Sequence, residues 1–155
     1  MTILPTGRRS ALNFCTATWA AAAIAVFAAP VSGWAQDTTP IRIVIDDQIF
    51  DAVLWDNPAA RSLLDQLPLT LEFTDYGSQE VTAVPPRPIT MDGMPEGDAP
   101  KAGDIGFYQP TGVVSLFYSD IGYWKGSARL GRIDGDLAII RDRSEPFPVT
   151  IERAK

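Results

Sequence analysis

The sequence contains no histidine. That absence excludes Ser-His-Asp and Cys-His catalysis and any zinc site built on imidazole. There is one cysteine, Cys15, and it falls within the first 35 residues. Beyond it no thiol remains to form a disulfide, attack a substrate or bind a metal, a composition compatible with an oxidising compartment. Positive charge is also scarce, with 13 Lys and Arg against 19 Asp and Glu. An acidic surface repels phosphate backbones, so no nucleic-acid partner is expected. The same charge favours solubility. No metal site and no cofactor are expected from these residues.

Residues 1–35 read as a signal peptide. Arg8 and Arg9 form a positive start, an apolar run follows from Trp19 to Val31, and Gly33-Trp34-Ala35 supplies small residues at −3 and −1. The run is short for a membrane span and is interrupted by Pro30. Arg8-Arg9-Ser10-Ala11-Leu12 is close to a twin-arginine signal, with Ala11 at the position where Phe is usual, so the general and twin-arginine routes both stay open. The expected location is periplasmic or secreted, with no membrane attachment after cleavage. Removing Arg8 and Arg9 leaves 11 basic residues against 19 acidic ones, a net charge of −8. Residues 36–40 read as a linker and 41–155 as one domain.

The domain is organised around residues 103–118. Its first half is aromatic and glycine-spaced, its second half almost continuously apolar, and Gln109-Pro110-Thr111-Gly112 makes a turn between them. That pattern predicts a hairpin whose second strand is buried on both faces. Before it, residues 41–45 and 49–55 predict two strands joined at Asp46-Asp47-Gln48. Asn57 and Pro58 then suit the N-cap and first position of a helix, whose face is Ala60, Leu63, Leu64 and Leu67. Leu69, Leu71 and Phe73 alternate with polar residues, predicting a half-buried strand, and 81–84 begin another. That strand runs into Pro85, Pro86 and Pro88, which places it at a sheet edge or bulge. Residues 91–101 read as a long surface loop and 123–126 as an aromatic loop. Residues 128–133 and 137–140 predict a hairpin about Asp134-Gly135, and 147–152 a last strand. About eight short strands and one short helix indicate an all-β fold. Closure into a barrel would remove exposed edges.

Taken together, Asp56-Asn57-Pro58-Ala59-Ala60-Arg61, Gly103-Asp104-Ile105 and Leu130-Gly131-Arg132-Ile133 in this order of elements resemble the bacterial cyclophilin-like proteins, divergent relatives of cyclophilin-type peptidyl-prolyl isomerases. The resemblance spans residues 41–152 and implies a closed cyclophilin-like barrel. Prolyl isomerisation must overcome a barrier of roughly 18–20 kcal/mol to amide rotation. An arginine that hydrogen-bonds the prolyl nitrogen as it pyramidalises lowers that barrier without a nucleophile or base, so lacking His and Cys does not exclude it.

By element order the resemblance makes Arg87 the catalytic arginine, with Met91, Met94, Phe107, Ser115, Phe117 and Trp124 as ligand-binding residues. The pattern departs in places. Pro88, Ile89 and Thr90 follow Arg87 where Phe, Met and Gln belong to the family's strand, and Ser115 stands in place of a glutamine. Each residue also has a plainer reading. Arg87 between prolines suits an edge charge that blocks edge-to-edge pairing. Phe107 and Phe117 suit barrel core, while Tyr123 and Trp124 in a loop suit recognition. The pairs Asp46/Asp47 and Asp134/Asp136 fit turn chemistry better than a cation site or an acid–base pair. The expected function is an exported domain that binds a proline-containing peptide or small ligand, with weak isomerisation at most. The rival is a non-catalytic protein-interaction module on the same barrel.

Overall fold

The computed structural model describes residues 37–155. The leader, with Arg8, Arg9 and Cys15, lies outside them. Ten strands and two short helices follow in order. Strands β1 (Thr38–Ile45) and β2 (Gln48–Trp55) precede α1 (Pro58–Leu64), β3 (Leu69–Tyr76) and β4 (Glu80–Ala83). Next come β5 (Gly97–Asp98), β6 (Asp104–Tyr108), β7 (Val113–Phe117), β8 (Trp124–Lys125) and β9 (Ser127–Ile133). Helix α2 (Ala138–Arg141) and β10 (Phe147–Arg153) finish the chain.

Eight strands close an antiparallel barrel in the order β1-β10-β3-β4-β7-β6-β9-β2. The expected hairpin at 103–118 is β6 and β7, with Ile105 opposite Leu116 and Phe107 opposite Val114. It lies at the middle of the wall, since β4 flanks β7 and β9 flanks β6. Alternate residues point inward, as the pleat requires. Ile41, Ile43, Ile45, Leu54, Phe73, Val81, Ile105, Leu116, Val149 and Ile151 fill the interior with under 10% of their surface exposed. Burying such side chains stabilises the fold by about 1.5–3 kcal/mol each, before the entropy of ordering them is counted.

Helix α1 forms for the local reasons its sequence gives. Asn57 Oδ1 accepts from Ala60 N at 2.8 Å and Pro58 occupies the first turn. Ala59, Ala60 and Leu63 are its buried face.

Several local expectations differ. The first strand begins at Thr38, inside the stretch read as linker, because Thr38, Thr39 and Pro40 pair with Trp55, Leu54 and Val53. The chain from Val84 onward leaves the sheet instead of forming an edge or bulge. Gln66 replaces the missing sheet partner: its Oε1 accepts from Arg87 N at 3.0 Å and its Nε2 donates to Arg87 O at 3.1 Å. The loops at 91–101 and 123–126 are zipped together as the two-stranded ribbon β5-β8, with Gly97 opposite Lys125 and Asp98 opposite Trp124. Residues 137–140 are not a strand. β9 spends its pairing capacity on β6 and β2, so no edge is left for a returning hairpin. Asp136 Oδ1 instead accepts from Ala138 N at 2.9 Å and starts α2, which inserts Ile140 into the core. Among the described residues no helix is long and apolar enough to cross a membrane.

Candidate functional site

The outer faces of β4, β7 and β6 carry the most distinctive concavity. Tyr76 at the end of β3, Glu80 and Thr82 of β4, Tyr108 of β6, Thr111 of the turn, Val113 of β7 and Trp124 of β8 line a groove of about 140 Å³. Three of these seven are aromatic. Tyr108 and Trp124 meet edge to face, with ring centroids 5.7 Å apart and planes at 64°. Tyr76 and Trp124 are 61% and 44% exposed, and with Tyr108 they gather aromatic surface in one slot.

The β5-β8 ribbon positions the Trp124 wall. Gly126 N donates to Glu96 O at 2.8 Å, Gln109 N to Gly126 O at 2.9 Å and Ile121 N to Pro100 O at 3.0 Å. The first and third bonds join the 96–100 and 121–126 segments, and the Gln109–Gly126 bond ties the ribbon to the β6–β7 turn. The backbone of the ribbon comes so close at Gly97 that a Cβ there would lie 2.4 Å from the Trp124 carbonyl oxygen.

The polar part of the groove is small. Thr82 pairs with Ser115 across β4 and β7, and Glu80 with Phe117. Ser115 has no exposed surface. Its Oγ and Glu80 Oε2 are both buried and neither completes a hydrogen bond within the protein. Burial raises the Glu80 carboxyl above its ordinary value, and the neighbouring Ser115 hydroxyl works in the opposite direction without reaching full hydrogen-bond geometry. Next to the groove Tyr118 donates to Asp75, and burial together with that carboxylate pushes its phenol up to about 12.

The residues picked out from the sequence separate in space. Trp124 lines the groove, and Ser115 lies on the same outer face, paired with the groove residue Thr82. Phe117 is 4% exposed and lies over Gly106, where a Cβ would come within 2.5 Å of its Cε2. Phe107 points inward and is core, so the plainer reading holds for it. Met91 and Met94 pack partly against the core and line a different, open depression with Pro95, Gln109 and Pro110. Arg87 is exposed and donates from Nη2 to Asp65 O at 2.6 Å, at the C-terminal end of α1. It lines neither that depression nor the groove. The departure from its expected place follows from the prolines around it, which take its backbone off the sheet.

Sequence reasoning passed over Tyr76, Glu80, Thr82, Tyr108, Thr111 and Val113. The available signal was the alternation of Glu80 and Thr82 with Val81 and Ala83, which marks the two polar residues as outward-facing. Strand β3 continues through Tyr76, and the reversal occurs at Gly77 and Ser78.

The three motifs that carried the family resemblance meet elsewhere. Asp104 is fully buried and accepts from Lys101 N at 2.8 Å and Arg129 Nε at 2.6 Å, with Arg132 Nη1 at 3.4 Å. Arg129 stacks over the Trp55 ring at 4.9 Å, and its carbonyl accepts from Asn57 Nδ2 at 3.1 Å. The Asp56–Arg61 segment, Asp104 and the Leu130–Ile133 segment are therefore tied around one ionic centre that joins α1 to β6 and β9. The Asp104 carboxylate raises the Arg129 guanidinium further above its already high value.

The sequence profile described as the Cyclophilin-like family matches residues 43–152. The chain belongs to that family. The match takes in all of the barrel except the start of β1 and the last residue of β10. No curated protein matches the chain. Among solved structures it is similar to the solution structure of a hypothetical protein from Archaeoglobus fulgidus, with a TM-score of 0.60 and 16% identity over 79% of this chain and 99% of that one. At that identity the likeness establishes the shared fold. This cyclophilin-like barrel thus retains the architecture and has its aromatic groove on the β3-β4-β7-β6 wall.

Proposed function

We propose that this protein is an exported cyclophilin-like domain that binds a proline-containing peptide in the Tyr76–Tyr108–Trp124 groove, as an interaction module without isomerase catalysis. Export is supported by the leader-like first 35 residues. The observation that carries the binding reading is the groove itself: exposed aromatic rings around a narrow slot on an otherwise acidic surface. Proline rings pack well against aromatic faces, and extended proline-bearing segments dock into aromatic-lined grooves with little loss of conformational entropy. Size favours a peptide over a free small molecule. The volume of about 140 Å³ takes one side chain or ring, whereas pockets for drug-sized ligands and cofactors run to roughly 300–1,000 Å³.

The position of Arg87 favours the non-catalytic reading. Isomerisation needs a donor aimed at the prolyl nitrogen in the transition state. The Arg87 guanidinium is occupied with the Asp65 carbonyl, and no other arginine lines the groove. Titration of the full chain with a proline-containing octapeptide, followed by NMR, tests both parts. Amide and indole shifts should cluster at Trp124, Tyr108 and Tyr76, and Trp124→Ala should weaken binding at least about tenfold, as expected for an aromatic anchor. Peptide cis/trans exchange should stay at the uncatalysed rate in wild type and Arg87→Ala alike. Exchange accelerated by wild type and lost in Arg87→Ala would overturn the non-catalytic reading. Unchanged Trp124 signals at saturating peptide would overturn binding at this site.

A further inference from the structure

We propose that the peptide bound here carries a lysine or arginine beside its proline, and that this basic side chain seats against Glu80 while the proline lies on the aromatic wall. The inference rests on the peptide-binding reading above and specifies the ligand further.

The chemistry of the lining points to a cation. Glu80 is the one charged residue among the seven that line the groove, and no basic side chain lines it. Tyr76, Tyr108 and Trp124 present aromatic surface in the same slot. Aromatic faces attract cations through their quadrupole, and a carboxylate among them supplies a hydrogen-bond acceptor and full charge. The aliphatic stem of a lysine or arginine would lie along such rings while its head reaches the acid.

A second observation is independent of composition. Glu80 lines the groove, and among the described residues no lysine or arginine pairs with its carboxylate, whose Oε2 has no hydrogen-bond partner within the protein. Buried polar atoms are nearly always satisfied, so a groove-lining carboxylate with no basic partner suits a donor from outside the chain. An ammonium brings three donors and a guanidinium five, and the Glu80 carboxylate accepts from either. Burial without a counter-charge raises the Glu80 carboxyl. A seated cation would reverse that direction. The surrounding field has the same preference. Apart from the leader arginines, 11 basic residues face 19 acidic ones.

The test compares three octapeptides on the full chain by calorimetry: one with Lys-Pro, one with norleucine-Pro and one with Lys-Ala at the same positions. Replacing Lys by norleucine keeps the stem and removes the charge. It should weaken binding about tenfold, the effect of one partly desolvated charged hydrogen bond. Glu80→Gln should weaken the Lys-Pro peptide by a similar factor and affect the norleucine-Pro peptide much less, so that the two losses do not add. Equal affinity of wild type for Lys-Pro and norleucine-Pro overturns the basic subsite and leaves the proline groove standing. Tight Lys-Ala binding that depends on Glu80 supports the basic subsite and removes the proline requirement. No binding of any peptide overturns both. The norleucine comparison uses only wild-type protein, so it is decisive even if Glu80→Gln folds poorly.

Discussion

Glu80 combines cost and use in a single side chain. Its folded pKa is raised above 4.5 by burial, so the folded protein holds its proton more tightly than the unfolded chain does. The stability linked to that proton is fully present below 4.5 and is lost as pH rises through the folded value; at neutral pH the half-buried carboxylate opposes folding. Glu80→Gln removes that penalty. Its melting temperature should exceed that of wild type at pH 7, and the difference should vanish below about pH 4.5, where both side chains are neutral. Thermal unfolding at pH 7 and pH 4 checks this, and an equal offset at both would contradict it. A residue that destabilises the free protein while facing a groove fits retention for binding rather than for folding. The sequence marks Glu80 as outward-facing by its alternation with Val81 and Ala83. It does not reveal that Ser115 shares that outer face, because the two residues are 35 positions apart and meet through the β4–β7 ladder.

Two close backbone approaches, one in the barrel wall and one in the ribbon outside it, separate folding from recognition. In the seam between β2 and β9, a Cβ at Gly131 would stand 2.0 Å from the Val53 carbonyl oxygen. Gly131→Ala therefore forces the seam apart. It should cost about 3 kcal/mol of stability in a denaturant titration, the upper part of the usual overpacking range. In the β5-β8 ribbon, a Cβ at Gly97 would lie 2.4 Å from the Trp124 carbonyl. Gly97→Ala should displace Trp124 and weaken peptide binding several-fold, with a change in barrel stability of less than about 1 kcal/mol, since the ribbon lies outside the barrel ladder. A large stability loss in Gly97→Ala would show that the ribbon is integral to the core. Strands of the barrel were legible from their alternation and turns. The ribbon was not, because β5 and β8 have two residues each, too few for any periodic signal. Helix α2 was missed for a related reason: Leu137-Ala138-Ile139-Ile140 is apolar throughout, and a run of four has no period that distinguishes helix from strand.

Across the whole molecule, the acidic surface should guide a basic ligand. Association of the Lys-Pro peptide should slow several-fold between 20 and 200 mM salt, values spanning the range where the screening length falls from roughly 20 to 7 Å, while dissociation changes little. Stopped-flow fluorescence measures both rates, and a salt-independent association rate would contradict the steering. At this scale much was already written in the order of residues. Apolar alternation, the 103–118 hairpin, the Asn57-Pro58 cap and the family motifs together specify a closed eight-stranded barrel, because local periodicity and turn chemistry are short-range properties that one segment carries by itself. The absence of His excluded the nucleophilic triads and imidazole metal sites without reference to any fold. Placement of side chains relative to one another was decided only in three dimensions. Arg87 looked catalytic by order along the chain, yet Gln66 and Asp65 hold it at the end of α1. Tyr76, Glu80, Tyr108 and Trp124 have no common motif and become a groove only when barrel closure sets β3, β4, β7 and β6 side by side and the β5-β8 ribbon lays Trp124 against them. Contacts between residues far apart in sequence depend on which strands pair and on which face each residue points, and barrel closure determines both at once.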